Sequence, residues 1–272
     1  RHRLDGANQG AITSYPFTNV TTAHTISAYF TINTYTITAS NGNNTVDAGA
    51  GINTITLNGG SNSVTAGSGN DLVNIVSGTN IVNTGDGTNS VTLSNGFNTV
   101  KAGTGADTLT ATAGTNSIDG GAGTNTITLA DGHNSVVAGL GVDTLLATGG
   151  FNTIDAGDGN DVIRLSGGYT TLWGASGSDS ITATNGNHVI DAGLDDDIIT
   201  VSGGTNSLDA GVGNDVITLS GGDNTVFGNT GNDTVTASGG NNTIDAGLGN
   251  DTITLNNGTN SVLAGSGADS IT

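Results

Sequence analysis

From residue 42 onward, apolar and polar positions alternate to a fixed beat. Stepping by nine from Gly42, 25 of 26 positions up to Gly267 are glycine, and Asp195 alone departs. Four residues after every one of them stands Val, Ile or Leu, from Val46 and Ile55 to Val262 and Ile271. Chance does not hold a register over such a length, so residues 42–272 are one repeat array. Each apolar residue is flanked by polar ones, as in Thr252-Ile253-Thr254, and a second apolar residue such as Leu255 or Ala246 follows two positions on. Period-two alternation predicts a short strand with one buried face. The glycines on either side predict tight turns, where other residues would meet a steric penalty. Two strands and two turns, one pair of nonapeptides, close an 18-residue coil. The expected fold is all-β: a parallel β-solenoid of about 13 coils, each strand pairing with its counterpart in the next coil, with a thin core of Val, Ile and Leu. At ~4.8 Å per coil it would form a rod roughly 60 Å long. Gly and Asn recur too often for any helix to persist.

A slower rhythm lies on top. One buried position alternates large and small along Leu93, Ala111, Leu129, Ala147, Leu165 and Ala183, then slips at Val201 and Leu219, which are both large. This pattern points to growth by duplication of a 36-residue pair of coils, with one coil gained or lost near residue 200.

The two turns of each coil differ. One set carries Asp two residues after its glycine, at Asp71, Asp107, Asp143, Asp161, Asp179, Asp197, Asp215, Asp233, Asp251 and Asp269, with Asn53, Asn89 and Asn125 as exceptions. The other set carries Asn, from Asn44 and Asn62 to Asn242 and Asn260, with Thr170 and His188 as departures. Stacking places the members of each set about one strand spacing apart. Two bare carboxylates at ~4.8 Å repel by about 1 kcal/mol in water and by several times more in a partly buried turn. The unbroken run from Asp161 to Asp269 therefore needs a counter-ion. Lys and Arg number only four, which leaves a metal cation. Oxygen ligands without Cys or Met point to a hard ion, and a mixture of carboxylates with turn carbonyls favours Ca2+ over Mg2+. Stacked Asn amides need no ion, since N–H can donate to C=O along the column.

Composition narrows the functional classes. All 23 acidic residues are Asp, and the formal net charge is -19. So acidic a surface is a poor partner for nucleic acid. The apolar runs are too short to cross a bilayer, and no signal peptide is visible, so any export signal lies elsewhere or was removed. The chain has no Cys, so disulfides do not staple it. An enzyme is not expected: His2, His24, His133 and His188 are scattered, Glu is absent, and Ser and Asp are repeat background. No helix follows the glycine runs to hold a phosphate.

The stretches AGDGNDVIR (156–164), AGVGNDVIT (210–218) and AGLGNDTIT (246–254) resemble the repeats-in-toxin (RTX) nonapeptide G-G-x-G-x-D-x-U-x, a calcium-binding parallel β repeat. The resemblance implies a right-handed β-roll with Ca2+ between turns of neighbouring coils, held by the aspartates named above and by carbonyls of the glycine region. It also implies export by type I secretion in an unfolded form, and folding in calcium-rich surroundings outside a bacterial cell. This chain departs from the family pattern in three ways. Alanine mostly replaces the first glycine, Asp195 replaces a turn glycine beside Asp197, and the Asn turns lose the charge altogether. Where Asn53, Asn89 and Asn125 alternate with Asp, half the ligand charge is missing, and affinity is expected to fall.

Residues 1–41 do not keep the nine-residue rule. The stretch 4–30 resembles the end of a divergent internalin-type B-repeat, and NTYTITASNG (33–42) the start of another copy. Alternating strands over His24–Phe30 and Tyr35–Ala39 are expected to form a short N-terminal β cap on the first coil. The array stops in mid-coil at Thr272, as a slice of a longer polypeptide or a protomer meeting another subunit would.

Two surface features remain. Outward Thr pairs (Thr54/Thr56, Thr108/Thr110, Thr126/Thr128, Thr234/Thr236, Thr252/Thr254) resemble the ice-contacting face of some antifreeze β-solenoids, though Thr also favours exposed strand positions. Phe151 and Tyr169 share one outer position with Phe97 and His133, and Trp173 lies nearby, which marks a candidate face for lateral contact or self-association. The expected role is a calcium-stabilised, non-enzymatic spacer in a bacterial surface layer, adhesin or extracellular fibre, with ice binding as the alternative.

Overall fold

Glycines placed every nine residues fold the repeat array mostly into strands of four or five residues joined by sharp turns, and these strands stack in parallel. The computed structural model describes the backbone of residues 2–4, 7–10, 15–16, 24–28 and 33–272, and side chains from residue 34 onward. Most of the stretch that resembles a B-repeat therefore lies outside the described residues, as does the end of the strand expected to reach Phe30; the described part of that strand is His24–Ala28.

The chain divides into two compact units, residues 1–138 and 139–272. From Asn33 onward each is a parallel β-solenoid of 18-residue coils, as the glycine spacing predicts; ahead of it, His2–Leu4 pairs antiparallel with Ala7–Gly10 and His24–Ala28. In the first unit, one sheet aligns Val46, Val64, Val82, Val100, Ile118 and Val136 in register. Its other sheet aligns Ile55, Val73, Val91, Leu109 and Ile127. In the second unit the corresponding rows are Ile154, Leu172, Ile190, Leu208, Val226 and Ile244, and Leu145, Ile163, Ile181, Ile199, Ile217 and Val235. These side chains face each other across a one-layer core and are at most 2 % exposed. Burying each contributes roughly 1.5–3 kcal/mol.

The 18-residue register begins before Gly42. Asn33–Ser40 pairs in parallel with Gly51–Asn58, Ile37 opposite Ile55. Ahead of it, His24–Ala28 pairs with Asn43–Asp47, Ile26 opposite Val46, so the register there is longer by two positions.

Two turn positions show why the repeat needs glycine. A Cβ on Gly231, whose φ is 145°, would run into the carbonyl oxygen of Gly213 in the coil below. Asp195, the one non-glycine in the series, keeps a left-handed φ of 76°, an uncommon conformation for a residue with a side chain. The coil holds through this point: Asp197 stays buried, and its Oδ1 accepts from the Asp179 N–H at 2.7 Å.

Candidate metal centre

The Asp and Asn columns occupy the inward-facing position two residues before each apolar row. Both are therefore internal rather than at the surface, and their side chains must find partners inside the protein.

The Asn column does so with its own atoms. Asn44 Nδ2 donates to Asn62 Oδ1 at 2.7 Å, and Asn62, Asn80, Asn98 and Asn116 repeat the contact upward at 2.7–2.8 Å. In the second unit Asn206, Asn224 and Asn242 do the same at 2.8–2.9 Å. The second amide hydrogen goes to a carbonyl three residues back, as Asn62 to Gly59 O at 3.0 Å and Asn206 to Gly203 O at 2.9 Å. Thr170 and His188 interrupt this ladder. The His188 ring reaches Asn185 O at 2.7 Å through Nε2, while its Nδ1 and the Thr170 Oγ1 are buried without a hydrogen-bond partner. Burial lowers the pKa of His188 and favours the neutral ring.

In eight members of the Asp column only one of the two carboxylate oxygens is hydrogen-bonded. Oδ1 accepts a backbone N–H from the preceding coil in Asp71, Asp107 and every aspartate of the column from Asp161 to Asp269. In the second unit these N–H groups belong to Asp143, Asp161, Asp179, Asp197, Asp215, Asp233 and Asp251, at 2.7–3.0 Å. In the first unit Asp71 and Asp107 accept from Asn53 and Asn89 at 2.8 and 2.7 Å. The other oxygen, Oδ2, is buried with no donor in Asp71, Asp107, Asp161, Asp179, Asp197, Asp215, Asp233 and Asp251. Asp143 is buried in the same column, and Asp269 closes it.

What Oδ2 faces is shown by two glycines. A Cβ on Gly174 would meet Asp179 Oδ2 at 2.6 Å and press against Ala192 O; one on Gly228 would meet Asp233 Oδ2 at 2.6 Å and press against Ala246 O. A carboxylate oxygen and a backbone carbonyl oxygen thus turn toward the same small space, with no hydrogen between them. Two buried acceptors so close repel unless a proton or a cation lies between them.

The titration behaviour carries the same stress. Burial, opposed by the backbone hydrogen bond and reinforced by neighbouring carboxylates, raises Asp161, Asp215 and Asp233 to about 6. Asp197 is likewise pushed up to about 6, with Asp195, Asp196 and Asp191 adding to the burial effect. Asp179, between Asp161 and Asp197, is raised to about 7. Asp71 and Asp107, which have Asn neighbours in the column, are raised by burial, and hydrogen bonds from Asn53 and Asn89 oppose the shift.

These residues suit a hard divalent ion. The donors are all oxygen, Asp179 and Asp233 each share their space with a main-chain carbonyl, and eight carboxylates of the column carry a buried oxygen with no donor among the described residues. Among the described residues no three Asp or His side chains converge on one point, so main-chain oxygens and water would complete any coordination shell. Sequence reasoning located the aspartates but missed Ala192 O and Ala246 O, since a carbonyl's direction has no letter in the sequence. The available signal was the small residue, Ala or Gly, five positions before each aspartate.

The model of the RTX calcium-binding nonapeptide repeat matches residues 38–73, 92–127, 101–136, 137–172, 173–208, 200–235 and 236–271. No curated protein sequence matches the chain. Among solved structures, the chain is similar to a hyperactive, Ca2+-dependent, β-helical antifreeze protein from an Antarctic bacterium. The two share 22 % identity over 95 % of this chain and 86 % of that one, with a TM-score of 0.64. At that identity the likeness speaks for the fold alone.

Proposed function

Since the chain belongs to the RTX calcium-binding nonapeptide repeat family, we propose that it is a calcium-stabilised structural segment of a bacterial extracellular protein. It acts as a rigid spacer or assembly module in a surface layer, adhesin or fibre, and its role is mechanical rather than catalytic. Residues 42–272 are the glycine-marked array, residues 1–41 the segment that caps it, whose strand Asn33–Ser40 already keeps the 18-residue register, and type I secretion the route out of the cell. The observation that carries the reading is the row of buried Oδ2 atoms with no donor.

Asp71, Asp107, Asp143, Asp161, Asp179, Asp197, Asp215, Asp233, Asp251 and Asp269 would hold Ca2+ together with carbonyls such as Ala192 O and Ala246 O. The ion supplies positive charge between oxygens that otherwise repel. The chain's own atoms do the positioning: the backbone N–H on Oδ1 fixes the carboxylate plane, and in Asp179 and Asp233 it leaves Oδ2 turned toward the space that the carbonyl also faces. An ion bound only by the folded coil stabilises that coil by mass action, and export unfolded into calcium would couple folding to arrival outside the cell. Where copies associate side by side, the exposed Phe151, Tyr169 and Trp173 form the contact; Phe151 and Tyr169 are neighbours in adjacent coils.

Thermal unfolding with calcium or with EGTA tests the reading. A melting temperature raised by at least about 10 °C in millimolar calcium is expected, from several sites each contributing a few kcal/mol. Equal melting in both conditions would leave calcium no role.

Ice binding is the second reading, supported by the Thr rows on the outer face. At one and the same position of the 18-residue repeat, Asn74 stands between Thr56 and Thr92 in the first unit, and Leu146 and Arg164 precede Thr182 in the second, so the Thr row is interrupted in each unit. Thermal hysteresis that is lost in Thr252→Tyr would favour this reading over the spacer.

A further inference from the structure

In the first unit, three coils carry an amide where the others carry a carboxylate. Asn53 Nδ2 donates to Ala66 O at 3.2 Å and to Asp71 Oδ1 at 2.9 Å. Asn125 Nδ2 donates to Ala138 O at 3.3 Å. Ala66 and Ala138 stand as far along the chain from their asparagines as Ala192 and Ala246 do from Asp179 and Asp233. An N–H therefore lies where, in an aspartate coil, Oδ2 opposes the same carbonyl.

Asn89 reaches this result by a different route. Its Nδ2 turns to Gly85 O at 3.2 Å and Gly87 O at 3.4 Å. The carbonyl left over, Ala102 O, takes a 2.8 Å hydrogen bond from Thr84 Oγ1. Thr84 is fully buried, and the corresponding position five residues before each aspartate is Ala or Gly, which has no side-chain donor to offer. One coil thus uses two side chains to supply the hydrogens that Asn53 and Asn125 supply alone.

Building on the reading of the aspartate coils as calcium sites, we infer that Asn53, Asn89 with Thr84, and Asn125 are built-in replacements for the ion. These coils fold without calcium, and the residue at this one position sets the calcium content of each coil. A hydrogen pointing at the carbonyl, from the amide of Asn53 or Asn125 or from the Thr84 hydroxyl, also repels a cation, so an asparagine coil does not merely bind more weakly; it excludes the ion. The consequence is a molecule of two kinds: asparagine coils alternate with Asp71 and Asp107 in the first unit, and every coil from Asp143 onward carries the carboxylate.

The test converts the replacement back. Bound calcium per chain is measured by elemental analysis after equilibrium dialysis, on the full chain and on Asn53→Asp, Asn125→Asp and the double variant. The expected result is a rise of about one ion per substitution, with the double variant melting lower than the original chain in EGTA and recovering in calcium. The reverse variant, Asp107→Asn, is expected to lose about one ion while keeping its fold in EGTA, which covers the case of a gain variant that does not fold. If the original chain binds calcium but neither direction changes the count, the replacement idea fails by itself. An original chain that binds none sinks both the replacement and the calcium reading beneath it. Anomalous density from calcium beside Asn53 or Asn125 in crystals of the original chain would also overturn the replacement.

Discussion

Two polar columns run inside each unit of this protein, built from side chains of nearly the same shape, and they solve burial in opposite ways. In the two asparagine ladders, Asn44 to Asn134 and Asn206 to Asn260, each side chain donates upward to the next and backward to a carbonyl, with Nδ2–Oδ1 distances of 2.7–2.9 Å. In the Asp column one oxygen is held by a backbone N–H and the other faces a carbonyl with no hydrogen between. The exchange of NH2 for O removes two donors and adds a charge. That alone separates a ladder that closes on itself from one that needs something added. Repetition multiplies the effect, since each unpaired carboxylate also feels the next one in the column, as Asp179 feels Asp161 and Asp197.

Moving the wrong chemistry into the closed ladder should cost the most. Asn224→Asp would place a buried carboxylate between Asn206, which donates to it, and Asn242, whose Oδ1 would lose its donor. A loss of about 3–5 kcal/mol is expected, as for other uncompensated buried charges. It should appear in thermal unfolding with calcium as well as without, because no site for an ion waits there. Rescue by calcium would mean the two columns are chemically equivalent after all.

Acidity should separate the columns next. In calcium-free solution the unfolded aspartates lose their protons near pH 4, while Asp161, Asp179, Asp197, Asp215 and Asp233 hold theirs to about 6 or 7 in the fold. Between those limits the folded chain binds more protons, so stability falls as pH rises through about 4 to 7 and then levels off. A melting temperature in EGTA higher at pH 5 than at pH 8, on the order of 10 °C, is the expected outcome. Calcium competes with the same protons, so the stabilisation it adds should shrink below about pH 6. A calcium-free melting temperature flat across this range would mean that the column is not under charge stress.

A more modest change should come from neutralising one carboxylate. Asp215→Asn supplies a donor at the place where Asn53 finds Ala66 O in its own coil. In EGTA this variant is expected to gain about 1–2 kcal/mol from the removed repulsion and the new hydrogen bond. In calcium it should lose one ion. Destabilisation in EGTA would show that Asp215 is content without a cation.

Much of this was legible in the residues, and for a clear reason. Gly every nine positions and Val, Ile or Leu four later fix both strand position and facing, because side chains alternate across a strand and turns need glycine. The Asn ladder also followed from identity and spacing. The depth of the columns did not, because an Asp in a turn motif reads as a surface ligand; only the alternation in the folded strand puts Asp161 at 1 % exposure. The carbonyls opposite Oδ2 were invisible for a simpler reason: every residue has one, and only the backbone path aims those of Ala192 and Ala246 inward. The early start of the register at Asn33–Ser40 was hidden too, because that strand keeps the 18-residue step without the glycine that marks later coils.

The outer face should matter least. Thr234→Tyr and Thr252→Tyr change side chains at exposed strand positions and should alter stability by no more than about 0.5 kcal/mol. Nanolitre osmometry should show no thermal hysteresis in the original chain. Hysteresis that these substitutions abolish would move the outer Thr rows from scaffold to function.

Hydrogen exchange with and without EGTA decides whether the aspartate column needs an ion, since it reads both columns in one molecule. Chelation is expected to loosen the backbone amides of Asp161, Asp179, Asp197, Asp215 and Asp233 first, with protection in the first unit, around Asn53, Asn89 and Asn125, changing least. Uniform protection in both conditions would contradict that need, because the core and the amide ladder would then suffice and the aspartate column would stand without a cation.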